Sequence, residues 1–562
     1  MHKVDPRYPN LRILTLTEEV DTKRLLLLLC GIFKIEDDEF LRFHEPQLKL
    51  PGAAIARMVL PHHFRSIGAQ TAIIESDYVD RDTNIAYSQL YARAFRDYPR
   101  RTVRLHFFGK QINACEELIE EESLQKSYLG FCVLSSARPA IIGRTVLPSP
   151  KGDESWFFVP TQSEFSLNLS GAQLKAKGTA FLQQDGRVAA CASAATWMST
   201  VISARRFTFD MPVRSMAEIT DLATKYSLPP SGRGSLPGLT VEQILWALHE
   251  MNYEPLSHST WDPKRATELV YSSVESGIPP ILVIYLPESP GFHAVTVVGH
   301  TYNPDLNLST ETNNQNHSVA AWCPYFLVHD DQSGPYLKIK FGAPTQRSKG
   351  RPSILIDETD SIIEPYKEEV VKWYRDASLH YVITPFPPRH ILRLEQAVIK
   401  AKAILTEAYS LHAENLGIQL PSCPIYRTYF MSSNEFKNRF VGNLDRVSHR
   451  VPGLSPELAH WYRGSNYPRY IWVTELCGLE HRSATQPDNL RIVADVTIDP
   501  TSSPFSLDFV TLHLPRTFFR MSPDATNVAS ALRIPVAFIQ DDEPYQPLVR
   551  IEIAQPPTVE AH

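Results

Sequence analysis

No stretch of this chain is apolar for long enough to cross a bilayer. The longest apolar run, Leu25 to Phe33, is broken by Gly31 and falls far short of the roughly 20 residues a spanning helix needs. It reads as a buried helix or strand. The start, Met-His-Lys-Val-Asp-Pro, lacks the basic-then-apolar pattern of a secretory leader. The end, Val-Glu-Ala-His, carries no lipidation signal. A basic excess is also missing: 56 Lys and Arg stand against 62 Asp and Glu, a net charge of −6, so a nucleic-acid duplex is not the expected partner. Cysteine is scarce. The seven (Cys30, Cys115, Cys132, Cys191, Cys323, Cys423, Cys477) are odd in number and scattered, which excludes a disulfide framework and fits a reducing, cytoplasmic setting. Six of them read as small buried hydrophobes. Cys477-Gly-Leu-Glu-His481 has a ligand-like spacing but no second pair at a matching distance. Ser231-Gly-Arg-Gly-Ser lacks the Gly-Lys-Ser/Thr ending of a phosphate loop. No metal and no cofactor is therefore expected. His62-His63, after Pro61, reads as surface polar residues, and Tyr98-Pro-Arg100-Arg101 as a turn.

What is present is an ordinary globular composition, 43% hydrophobic and 21% charged, with a high count of 44 prolines. Such proline usage favours turns and edge strands, hence a mixed α/β or α+β protein with long connections, and α+β is the class expected here. The length exceeds what one core usually organises. Three blocks are expected: an N-terminal α+β domain at 1–148, a catalytic domain at 149–350 and a C-terminal α+β domain at 351–562. In the first, a helix is expected around Ile85 to Phe95, an alternating strand at Val103 to Phe107, an acidic helix with a solvated face from Ala114 to Glu122, and strands at Tyr128–Leu134 and Ile141–Leu147. The second should hold strands at Phe157–Val159 and Phe165–Leu169 and a helix from about Ala190 to Ile202. A loop over 230–238 then leads to a helix at Val241–Met251, opened by a Thr240/Gln243 capping box. Gly277-Ile-Pro-Pro280 breaks the chain before the strand-like Ile281–Tyr285. A long helix near Ile391–Leu411 and strands at Tyr470–Thr474 and Leu490–Ile498 mark the third block.

A nucleophilic thiolate needs a favourable field, a base within reach and donors for an oxyanion. Cys191 stands at a predicted helix start, where free backbone amides and the helix dipole favour negative charge. Ala194, Ala195, Met198, Val201 and Ile202 recur behind it at helical spacing, a small-residue apolar face. Just upstream lie Gln183 and Gln184, neutral amides able to donate to an oxyanion where an ionised Asp185 cannot. Among 19 histidines, His293 opens a strand, His293–Gly299, directly after Pro290-Gly291. The next strand, Tyr325–His329, runs into Asp330-Asp331, so a carboxylate can reach the imidazole from its far side. Asp330 is preferred because it leaves the strand first; Asp331 stays open.

The order Cys191, His293, Asp330 or Asp331, with an upstream Gln and a following Gly-Leu-Thr-x-x-Gln-Ile helix (Gly238 to Ile244), resembles the papain-like cysteine peptidase superfamily. It looks closest to the double-glycine leader peptidase branch, found in bacterial exporters, and its stand-alone relatives. The resemblance covers about 178–345. It implies a papain-like core, with Cys191 as nucleophile, His293 as general base and acid, Asp330 as orienter and Gln184 as oxyanion donor (Gln183 the alternative). In that family the Gln usually lies six residues before the Cys; that position is Asp185 here, with the glutamines seven and eight before. The activity implied is cysteine-peptidase or isopeptidase-like hydrolysis of a protein or peptide through a thioester. Acyl transfer to an amine, as in transglutaminases, uses the same order, and a catalytically inactive papain-like binding protein is the non-enzymatic alternative.

Overall fold

The computed structural model describes residues 7–16 and most of 63–540; stretches such as 185–190, 227–237, 304–316 and 442–454 are not described. The run Leu25–Phe33 and Asp185 lie outside the described residues. The protein is α+β, built on three largely antiparallel sheets with helices between them. Among the described residues no helix is long and apolar enough to cross a membrane.

The sheet that matters for the site is a closed meander. Six strands run in chain order: β1 (Ile281–Leu286), β2 (Gly291–Tyr302), β3 (Phe326–Asp330), β4 (Gly334–Gly342), β5 (Ser353–Ile356) and β6 (Ser378–Phe386). Each pairs with the next, and β6 returns to pair with β1, making a small barrel. Near-continuous Val, Ile and Leu in β1 to β3 explain the closure, because both faces of these strands are buried. Helix α1 (Cys191–Phe207) packs on β2. Helix α2 (Val241–Glu250) opens with the expected capping box, Thr240 accepting from the Gln243 N–H and Gln243 answering on the Thr240 N–H. Helix α3 (Pro263–Glu275) ends at Gly277, whose φ of 68° is the left-handed turn that glycine favours. A Cβ there would also collide with the Arg206 guanidinium.

The other two sheets flank the barrel. The first has seven strands and takes in Ser163–Leu169 and Ala172–Phe181; the barrel extends through β5 and β6. The cuts expected at 148 and 350 therefore fall within sheets, because pairing partners are chosen across long connections that composition does not mark. The third sheet is centred on Pro424–Ser432, Tyr470–Arg482 and Leu490–Ile498, backed by α5 (Leu394–Leu416), with α4 (Lys367–Trp373) preceding it in the chain.

The expected alternating strand is buried on both faces, and one surface expectation, that for His63, is corrected. Thr102–Phe108 is buried along its whole length. Arg104 pairs with Glu75 at 2.7 Å and donates to the Asn168 carbonyl, while His106 meets the Tyr128 hydroxyl at 2.9 Å. The polar alternation is an internal hydrogen-bonded row, and burial pushes His106 down to about 4. His63 is likewise buried, its Nε2 3.0 Å from the Pro148 carbonyl. Cys115, Cys132, Cys323 and Cys477 are buried as expected, and Cys423 is half-buried.

Candidate active site

Cys191 is the first residue of α1 and is partly exposed, whereas Ala192 to Ser203 behind it are buried. Burial therefore extends beyond the apolar face legible in sequence. The helix is rich in Ala, Ser and Thr, so neighbours approach it closely from every side. Its hydroxyls bond at short range: Ser193 with Thr220 at 2.8 Å, Thr196 to the Ala192 carbonyl at 2.7 Å. One bond ties α1 to the barrel, with the Thr296 hydroxyl on β2 donating to the Ala195 carbonyl at 2.9 Å. This contact fixes the helix tip beside the start of β2.

His293 lies on that start, 4% exposed. Its Nε2 is 2.7 Å from Asp330 Oδ1 at the end of the neighbouring strand β3. Cys191, at the tip of α1, is near enough to the ring to act on its charge. With Nε2 engaged by Asp330, Nδ1 is the nitrogen left for the sulfur. The ring is thus flanked by a sulfur and a carboxylate. Burial opposes the imidazolium, but the Asp330 carboxylate and Cys191 outweigh it and hold His293 well above its ordinary range.

The tight turn between β3 and β4 explains how Asp330 is held. Its Oδ1 also accepts from the Gln332 N–H at 2.9 Å, an Asx-type turn closed at Gly334. Its Oδ2 accepts from the Tyr374 hydroxyl at 2.8 Å. Burial would raise this carboxyl; His293 and the turn N–H reverse that and bring it down to about 2.

Asp331 is also brought to the site, with Oδ1 3.7 Å from His293 Nε2. Neither of its oxygens is in a full hydrogen bond among the described residues, although the Gln184 backbone N–H lies close enough to favour the ionised form. Burial and the neighbouring Asp330 charge push it up to about 7, against the pull of His293. The open choice between the two aspartates resolves geometrically: Asp330 holds the ring, and Asp331 stands beside it. One ligand atom from each of His293, Asp330 and Asp331 lies within 4.8 Å of the others, so these three could hold a metal ion.

Gln183 is not available to an oxyanion. Its amide oxygen accepts from the Ile142 N–H at 3.1 Å and its amide nitrogen donates to the Asp331 carbonyl at 3.2 Å. The side chain instead clamps the first sheet to the β3–β4 turn. Gln184 is half-buried next to it. Sequence reasoning missed Trp373 and Tyr374 at the end of α4. The Trp373 ring stands edge-on to His293 with centroids 6.5 Å apart, covering the His293–Asp330 pair, and Tyr374 anchors Asp330. The only signal was an adjacent aromatic pair in a block with no other mark of chemistry. No protein-family model matches the chain, and no curated protein matches it.

Proposed function

We propose that the protein is a cysteine hydrolase acting on a peptide or isopeptide bond, with a papain-like arrangement of Cys191, His293 and Asp330. The observation that carries this reading is the imidazole held at 2.7 Å by the buried Asp330 carboxylate, with the Cys191 sulfur at a helix N-terminus near enough to act on the ring's charge. A thiolate there is stabilised by the helix end and by the imidazolium together.

In the first half-reaction the Cys191 thiolate forms a bond to the acyl carbon. The oxyanion forms, the carbon–nitrogen bond breaks, and His293 passes its Nδ1 proton to the leaving amine. Gln184 is the side chain assigned to the oxyanion. In the second half-reaction His293 takes a proton from water as the water oxygen attacks the thioester. The carbon–sulfur bond then breaks and the thiolate returns. Throughout, Asp330 keeps the ring oriented and balances its charge.

A peptide-hydrolysis assay beside an amine-incorporation assay, both with a thiol-directed acyl probe, tests the reading. Cys191→Ala should lose turnover and labelling with the fold intact, and His293→Ala should slow hydrolysis by at least about 10³-fold. Labelling that persists in Cys191→Ala removes the nucleophile. Amine incorporation in place of hydrolysis makes the protein an acyltransferase, and no thiolate reactivity near neutral pH makes it a binding scaffold.

A further inference from the structure

The side chains around His293 have more ligating capacity than an acid–base pair uses. Asp330 is fully engaged, by His293 and the Gln332 N–H on Oδ1 and by Tyr374 on Oδ2. Asp331 is not. It is 1% exposed, with Oδ1 facing His293 Nε2 at 3.7 Å and neither oxygen in a full hydrogen bond among the described residues. A buried carboxylate in that condition is costly unless a proton or a cation fills its lone pairs.

We propose that His293, Asp330 and Asp331 form a site for a divalent transition-metal ion, best matched to zinc, whose occupation switches the enzyme off. The regulatory half of this inference rests on the Cys191–His293–Asp330 reading; the binding half does not. One imidazole nitrogen and two carboxylate oxygens suit zinc or a similar ion, whereas calcium and magnesium favour all-oxygen sets. Ligand atoms on a tetrahedral zinc at about 2.0–2.2 Å lie about 3.3–3.5 Å apart. The His293–Asp331 separation of 3.7 Å is already close to that. The His293–Asp330 contact of 2.7 Å must open by less than an ångström. It does so because the ion replaces the Nε2 proton, which leaves to solvent. Tyr374, still bonded to Asp330 Oδ2, supports the ligand from behind. The zinc-bound neutral ring keeps its remaining proton on Nδ1 and has no lone pair there, so it cannot take a proton from water, and the thioester is not hydrolysed.

The full-length Cys191→Ala chain, stripped with EDTA and exchanged into buffer, is titrated calorimetrically with zinc chloride. One ion per chain is expected, bound more than about tenfold more weakly in the Cys191→Ala, Asp331→Asn double variant, with no heat from magnesium. In the wild-type chain, cobalt should give tetrahedral-type visible bands without a thiolate charge-transfer band, a readout that decides the matter if the Asp331 variant does not fold. Equimolar zinc should stop hydrolysis, and EDTA should restore it. The proposal is overturned by the absence of binding, by equal affinity in the double variant, or by a thiolate band placing Cys191 on the ion. Zinc binding as described in a chain that hydrolyses nothing sinks the hydrolase reading and its regulation but leaves the site. Active hydrolysis untouched by zinc sinks the regulation and leaves the hydrolase.

Discussion

Asp330 and Asp331 are adjacent and equally buried, yet their surroundings drive them apart. Asp330, down at about 2, is below its unfolded value of about 3.9, and His293 is above its unfolded value of about 6.5. The stability Asp330 contributes is present above about pH 3.9 and is lost as pH falls through about 2. The His293 contribution is complete below about pH 6.5 and is lost as pH rises through its elevated folded value. Asp331 has the opposite sign for a carboxyl. The folded chain keeps a proton that the unfolded chain has released, so this group lowers stability as pH climbs from about 4 towards about 7. Asp331→Asn should therefore raise the melting temperature at pH 7 and leave it unchanged below about pH 4, where the carboxyl is neutral in both states. Thermal scans across that range check this; a variant less stable at pH 7 contradicts it. Tyr374→Phe removes one of three supports from Asp330. It should lower kcat about ten- to a hundredfold with KM nearly unchanged, because the hydroxyl acts through the carboxylate and not on substrate. Steady-state kinetics on the two enzymes separate the effects.

Helix α1 shows what a single element must satisfy to present a residue at its tip. Its tip has to be free at Cys191 while its body is locked, and the body is locked by Trp197, Met198, Val201, Ile202 and Phe207, all buried. Trp197→Ala should cost about 3–5 kcal/mol by transfer and cavity effects, read as a lower denaturant midpoint with an unchanged m-value. The strand β2 does two jobs within a few residues. His293 meets the Asp330 carboxylate, and Thr296 bonds the helix. The strand expected at His293–Gly299 and the helix expected to end at Ile202 were both legible; each runs longer in the structure, to Tyr302 and Phe207. Local patterning sets where an element begins, and tertiary burial sets how far it extends.

The barrel does not stand alone. On one side, His329 and Tyr336 reach the Ala180 and Leu147 carbonyls of the first sheet at 3.1 and 3.0 Å. On the other, a buried charged row crosses from the barrel into the third sheet. His300 on β2 meets Glu275 at 2.7 Å, Glu275 pairs with Arg427, and Arg427 meets Glu475 at 2.9 Å. Glu475 also accepts from the Tyr429 hydroxyl at 2.9 Å. These carboxylates are fully enclosed. Burial works against charge on Arg427, but Glu275 and Glu475 more than restore it. Arg427→Met would leave two buried carboxylates uncompensated and should cost about 3–5 kcal/mol. Because β2 also carries His293, the same variant should lower hydrolysis before it unfolds the chain, measurable as lost turnover at temperatures below its melting midpoint.

The sequence by itself determined the candidate residue types and their local settings: a cysteine at a helix start, a histidine opening a strand, two acids leaving the next strand, and a capping box at Thr240. These depend on neighbours within a few residues, through turn chemistry, helix ends and apolar spacing. Only the tertiary structure decided which aspartate holds the ring, that Gln183 is consumed by two backbone partners, that Trp373 and Tyr374 close the site, and that the strands pair across the boundaries at 148 and 350. Those choices depend on which groups lose water together. Burial is shared between residues hundreds of positions apart, and no local pattern records it.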